Sequence, residues 1–99
     1  MKPTGFYYDR EGQPMELMEW AQAIEAGRNV VAKTKLSGGV EVSTVWIGLN
    51  HQWGDGPPLI FETMVFGGAM DQEQNRYSTE TEAKAGHREM VVRVKKAKP

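Results

Sequence analysis

Apolar residues along this chain switch between two periods. Residues 30–35, Val-Val-Ala-Lys-Thr-Lys, and residues 40–49, rich in Val, Thr, Trp and Ile, read as β-strands. Leu36-Ser37-Gly38-Gly39 between them reads as a hairpin turn, because Gly tolerates the positive φ that tight hairpins demand. Residues 59–66 form a third apolar run, ended by Gly67-Gly68. Phe6-Tyr7-Tyr8 is a short aromatic run that reads as an edge strand before a turn over 9–14. Elsewhere the period is helical. Leu17, Trp20, Ala21 and Ile24 predict a helix over 14–26, with Pro14 in its first turn and Gly27 as a left-handed cap. Thr79 and Glu82 have capping-box spacing. They open a last helix that runs to about Lys95 and buries Ala83, His87, Met90, Val91 and Val94. Residues 69–75 read as a polar link. The expected fold is α+β: an antiparallel three- to four-stranded meander with two helices mainly on one face, in the order β-α-β-β-β-α.

The strand faces are less regular than the elements. In 40–49, Val40, Val42, Thr44 and Trp46 share one face, while Glu41 and Ser43 give way to Val45, Ile47 and Leu49 on the other. In 59–66 both faces are apolar: Leu59, Phe61 and Val65 point one way, Ile60, Met64 and Phe66 the other. A sheet open to water on one side alternates more cleanly. The third strand is therefore expected to be central and covered on both faces. Its second face would be closed by the Trp53 loop, a helix, or a partner. Trp46, Trp53, Phe61, Met64 and Phe66 are the expected protein-binding residues, Trp53 because it rides a Gly- and Pro-rich loop that strands would hold in place.

Ninety-nine residues make one domain, expected over 1–95 with a basic tail at 96–99. An apolar fraction of 39% is enough to build a core. With no Cys, a disulfide scaffold and a thiolate zinc site are excluded. No apolar run approaches the roughly 20 residues of a spanning helix, and the first residues lack the apolar stretch of a signal peptide. The expected location is the cytoplasm, with no membrane partner. The net charge of −1 argues against nucleic acid as a partner. Charge is nonetheless segregated, with Glu11, Glu16, Glu19 and Glu25 early and Arg88, Arg93, Lys95, Lys96 and Lys98 late. Solvated helix faces and a soluble tail account for that pattern.

Candidate chemistry is sparse. Glu62 is the lone charge of its strand and needs a partner, for which Lys33 and Arg76 are available. Otherwise it becomes a carboxyl with a raised pKa and a general-base role. His51 and Asp55 lie in the loop before it, so His51, Asp55 and Glu62 form the one polar constellation with hydrolytic potential. His87, on the apolar stripe of the last helix, reads as a core-edge histidine. Two histidines cannot make a three-His metal site. There is no Gly-x-Ser-x-Gly and no phosphate-binding Gly-x-x-x-x-Gly-Lys, and Gly54-x-Gly56 precedes Pro-Pro and a strand rather than a helix. No catalytic residue, metal or cofactor is assigned.

The stretch Val42-Ser43-Thr44-Val45-Trp46-Ile47-Gly48-Leu49-Asn50-His51, followed by 56–68, resembles a family of small uncharacterised proteins of bacteriophages and prophages. Tyr8-Asp9-Arg10-Glu11-Gly12, Arg76-Tyr77-Ser78-Thr79 and Ala85-Gly86-His87 extend the likeness over nearly the whole chain. The resemblance implies a source, and no activity comes with it. Residues 23–33 are also similar to the helix-Gly-basic-strand opening of small phage proteins that sequester signalling nucleotides, although the strands beyond do not match. Three functions follow as expectations. The first is a phage accessory protein that binds a host protein stoichiometrically, for example an antiviral defence complex as an anti-CRISPR does, or that pairs with itself as a homodimer. The second is a nucleotide sponge walled by Arg28, Lys33, Trp46, Trp53 and Arg76. The third is a small hydrolase using His51 and Glu62.

Overall fold

In a computed structural model of the chain, the described residues are 7–50 and 56–97. They form α1 (Leu17–Glu25), β1 (Val30–Leu36), β2 (Val40–Trp46), β3 (Phe61–Phe66), β4 (Gln74–Tyr77) and α2 (Glu80–Lys96). The strands pair antiparallel in the order β1-β2-β3-β4, a simple meander. The fold class is thus α+β with four antiparallel strands and two helices, as the patterning predicts.

The fourth strand lies at a different place. β4 forms at the end of the expected polar link, with Tyr77, Arg76, Asn75 and Gln74 opposite Phe61, Glu62, Thr63 and Met64. Nothing in Gln-Asn-Arg-Tyr has strong strand propensity except Tyr77. Pairing to an already ordered β3 makes it a strand. Tyr7 and Tyr8 instead make single bridges, to Leu49 and Pro14. Pro14 is therefore part of a small N-terminal hairpin and not of a helix. The Met15 N–H donates to the Tyr7 carbonyl (2.9 Å) and the Asp9 N–H to the Gln13 carbonyl (2.8 Å). The Asp9 carboxylate accepts from the Glu11 and Gln13 N–H groups and holds the turn.

α1 begins three residues later than expected and ends as expected. Gly27 has φ +74, and the Arg28 and Gly27 N–H groups donate to the Ala23 and Ile24 carbonyls, the paired bonds of a Schellman cap. Its buried stripe is rotated from the predicted one: Trp20, Ala23 and Ile24 pack on the core, while Leu17 is exposed. Trp20 sets this orientation. Its indole N–H donates to the Ile47 carbonyl at 2.9 Å, and its ring lies against Gly48. A Cβ on Gly48 would sit 2.5 Å from the Trp20 ring, and the residue has φ +72, so both space and backbone require Gly there.

α2 opens on the predicted capping box. The Glu82 N–H donates to Thr79 Oγ1 and the Thr79 N–H to the Glu82 carboxylate, both at 3.1 Å. The helix crosses all four strands on one side of the sheet and buries Ala83, Gly86, His87 and Met90 against them. Two apolar clusters result. Trp46, Ile60, Phe61 and Ala83 lie at the end where α1 adds Trp20 and Ile24. Val42, Val65 and Met90 lie at the other, bordered by Leu36, Val40 and Val94. Ile60 belongs to the first cluster against the expected parity. The Ile47 and Gly48 N–H groups both donate to its carbonyl (2.8 and 3.2 Å), so two residues oppose one and strict alternation stops before β3 begins.

Candidate functional site: the open face of the sheet

Strand register sorts the sheet into a helix-covered face and an open one. The covered face carries Val42, Thr44 and Trp46 from β2 and Phe61, Thr63 and Val65 from β3, all buried. Trp46 and Phe61, expected to bind a partner, are therefore core residues, 3% and 0% exposed. Their side chains fall at the same parity as Val42 and Val65, under α2, and the Trp46 indole N–H is occupied by the Tyr8 carbonyl (3.0 Å). Trp53, His51 and Asp55 lie outside the described residues.

The open face is arranged in rows by the pairing. Lys35 and Phe66 flank Glu41; Lys33, Ser43, Met64 and Gln74 form the next row; Val45, Glu62 and Arg76 form the third. Neither helix packs over these rows among the described residues. Met64 and Phe66 thus lie on the face opposite the helices, and Phe66 is 44% exposed. The third strand is central, as expected, but its second face has no cover from α1 or α2.

Glu62 is in an ion pair. Arg76, directly opposite on β4, donates Nε–H to its carboxylate at 3.1 Å, and Lys33 approaches Glu41 at 3.8 Å. Both pairs are partly exposed, so each contributes roughly 0–1 kcal/mol. They hold the charges of this face in place and leave an apolar strip of Val45, Met64 and Phe66 between them. The proposed sponge residues do not converge: Trp46 is inside, Lys33 and Arg76 lie on edge strands of the open face with two strands between them, and Arg28 is in the turn after α1.

One constellation escaped the sequence reading. Thr34, Thr44 and Thr63 sit at core-facing parity on three adjacent strands, and His87 of α2 lies over them. His87 Nδ1 is 2.7 Å from Thr44 Oγ1 and Nε2 is 2.9 Å from Thr34 Oγ1, while the Thr44 and Thr63 hydroxyls are bonded to each other. Burial, with the Arg88 guanidinium adding to it, holds the imidazole below its ordinary pKa of 6.5. The available signal was a threonine at the apolar parity of each strand together with a histidine on an apolar helix stripe.

Elsewhere, a cleft of about 550 Å³ opens between the β1–β2 turn and the end of α2, walled by Leu36, Val40 and Val94, with Lys95 the one charged residue among the described residues that line it. Among the described residues no cluster of His, Asp or Glu is suited to hold a metal ion, and no helix is long and apolar enough to cross a membrane. Comparison with protein-family models, curated proteins and solved structures gave no match.

Proposed function

We propose that this protein acts by stoichiometric binding to another protein through the open face of its sheet. The observation that carries this reading is the one-sided cover: α1 and α2 share the face that holds Phe61 and Trp46, and Val45, Met64 and Phe66 form a strip on the other. Charge favours a different protein over a second copy as the occupant. The face carries Lys33, Lys35 and Arg76 against Glu41 and Glu62, a net positive balance that two identical faces would set against each other. The fitting surface is apolar at its centre with carboxylates at its rim. The resemblance of 42–51 and 56–68 to small phage proteins supplies the setting: an accessory protein docking on a host protein, such as a component of an antiviral defence complex.

The test compares wild type with Met64→Glu/Phe66→Glu in pull-downs from bacterial lysate, followed by reconstitution with the recovered protein. A 1:1 complex formed by wild type and lost in the variant, with both chains equally folded, is the expected result. Equal binding by the variant would remove the face from the reading. Light scattering of the isolated chain at twice 11.1 kDa, lost in the variant, would reassign the face to self-association.

A further inference from the structure

The protons of the Thr34–His87–Thr44–Thr63 cluster can be placed by counting donors and acceptors. Thr44 and Thr63 are fully buried and His87 nearly so, whereas Thr34 reaches the surface. A buried hydroxyl hydrogen needs an acceptor. If His87 carries its proton on Nε2, the Thr63 hydroxyl donates to Thr44, Thr44 donates to Nδ1, and Nε2–H donates to Thr34. Every buried donor then has a partner, and the hydrogen left over is that of the half-buried Thr34. If Nδ1 carries a proton, in the other tautomer or in the imidazolium, Nδ1–H donates to Thr44. Thr44 must then turn its hydrogen to Thr63, whose own hydrogen is left in the core without an acceptor in the cluster.

We propose that His87 is an acid-sensitive latch: as the neutral Nε2–H imidazole it pins α2 to β1, β2 and β3 through this one-way chain of hydroxyls, and its protonation reverses the chain and loosens the helix. Among the described residues no carboxylate compensates the added charge. Among the described residues the helix-facing polar side chains of the sheet are Thr34 from β1, Thr44 from β2, Thr63 from β3, and Asn75 and Tyr77 from β4, of which Tyr77 alone is titratable. Glu41 and Glu62 are on the opposite face, and Arg88 beside His87 is positive. The sign follows. With the folded-state pKa below that of the unfolded chain, stability is full above pH 6.5 and falls as pH drops below it. The unfolding constant rises by up to about tenfold per pH unit in that window. Loosening α2 uncovers Val42, Val65 and Met90, so acid converts a helix-covered face into a second apolar surface.

The test is urea unfolding between pH 7.5 and 5 for wild type, His87→Gln and Thr63→Val, with the His87 tautomer read by imidazole nitrogen NMR shifts at pH 7.5. The expected results are an Nε2–H tautomer, a wild-type acid loss absent in His87→Gln, and a loss in Thr63→Val as large as in wild type, because protonation of Nδ1 then orphans the Thr44 hydrogen in place of that of Thr63. An Nδ1–H tautomer at pH 7.5, or an acid loss absent from Thr63→Val, would overturn the latch. Those two readouts hold even if His87→Gln does not fold.

Discussion

Gly86 sits in the interior of α2, where helix propensity and packing make opposite demands on it. Replacing a helical Gly by Ala ordinarily stabilises by about 0.5–1 kcal/mol, because the unfolded chain loses freedom. Here the added Cβ would fall 2.3 Å from Cε1, Cζ and the hydroxyl oxygen of Tyr77. The far end of a tyrosine ring is rigid, this one lies against the Trp46–Phe61 cluster, and its buried hydroxyl has no hydrogen-bond partner among the described residues. Forcing a methyl into such a contact typically costs about 1–3 kcal/mol, as ring and helix shift apart. Subtracting the propensity gain leaves Gly86→Ala destabilised by about 1 kcal/mol, equivalent to roughly 4–8 °C in Tm for a domain of this size. Urea or thermal unfolding followed by circular dichroism measures it. The mechanism is tested by repeating Gly86→Ala in a Tyr77→Ala background, where the same change becomes neutral or stabilising and the two substitutions show a coupling energy. A Gly86→Ala protein as stable as wild type would refute the claim that Tyr77 seats on the bare helix backbone.

Three further outcomes separate the layers of the structure. Phe61→Ala, in the core, is expected to cost about 3–5 kcal/mol, whereas Phe66→Ala on the same strand, 44% exposed, should lie close to the ordinary surface range of about ±0.5 kcal/mol, both by chemical denaturation. Gly27→Ala places its Cβ in open space but forces Ala to φ +74, so a loss of about 1–2 kcal/mol is expected from backbone strain alone. Thr44→Val removes the middle hydroxyl of the His87 chain and is expected to cost about 1–3 kcal/mol at pH 7.5, because Thr63 and Nδ1 both lose their partner.

Local signals determined much of the fold. Thr79 and Glu82 mark a helix start because a capping box is completed within four residues, and Gly27 marks a helix end because a left-handed residue is a local demand. The β1–β2 turn and the parity of β2 were legible for the same reason: two glycines and an alternating strand carry their geometry with them. The stripe Ala83–His87–Met90 was legible from period alone, and the partner of Glu62 was one of two cations the sequence offered.

What the tertiary structure decided was everything that depends on a neighbour distant in sequence. Residues 74–77 become a strand because β3 offers an unpaired edge, not because of their own composition. α1 turns Trp20 inward and leaves Leu17 outside because the indole finds the Ile47 carbonyl and bare Gly48, twenty-seven and twenty-eight residues away. Trp46 and Phe61 went to the core and Met64 and Phe66 to the open face because α2 packs on one side of the sheet, and the bulge opposite Ile60 brings Ile60 to that side against its alternation. The threonine–histidine chain exists only once three strands are in register beneath a helix. A hydrophobic pattern records which residues seek burial; register and long-range hydrogen bonds determine which of them meet.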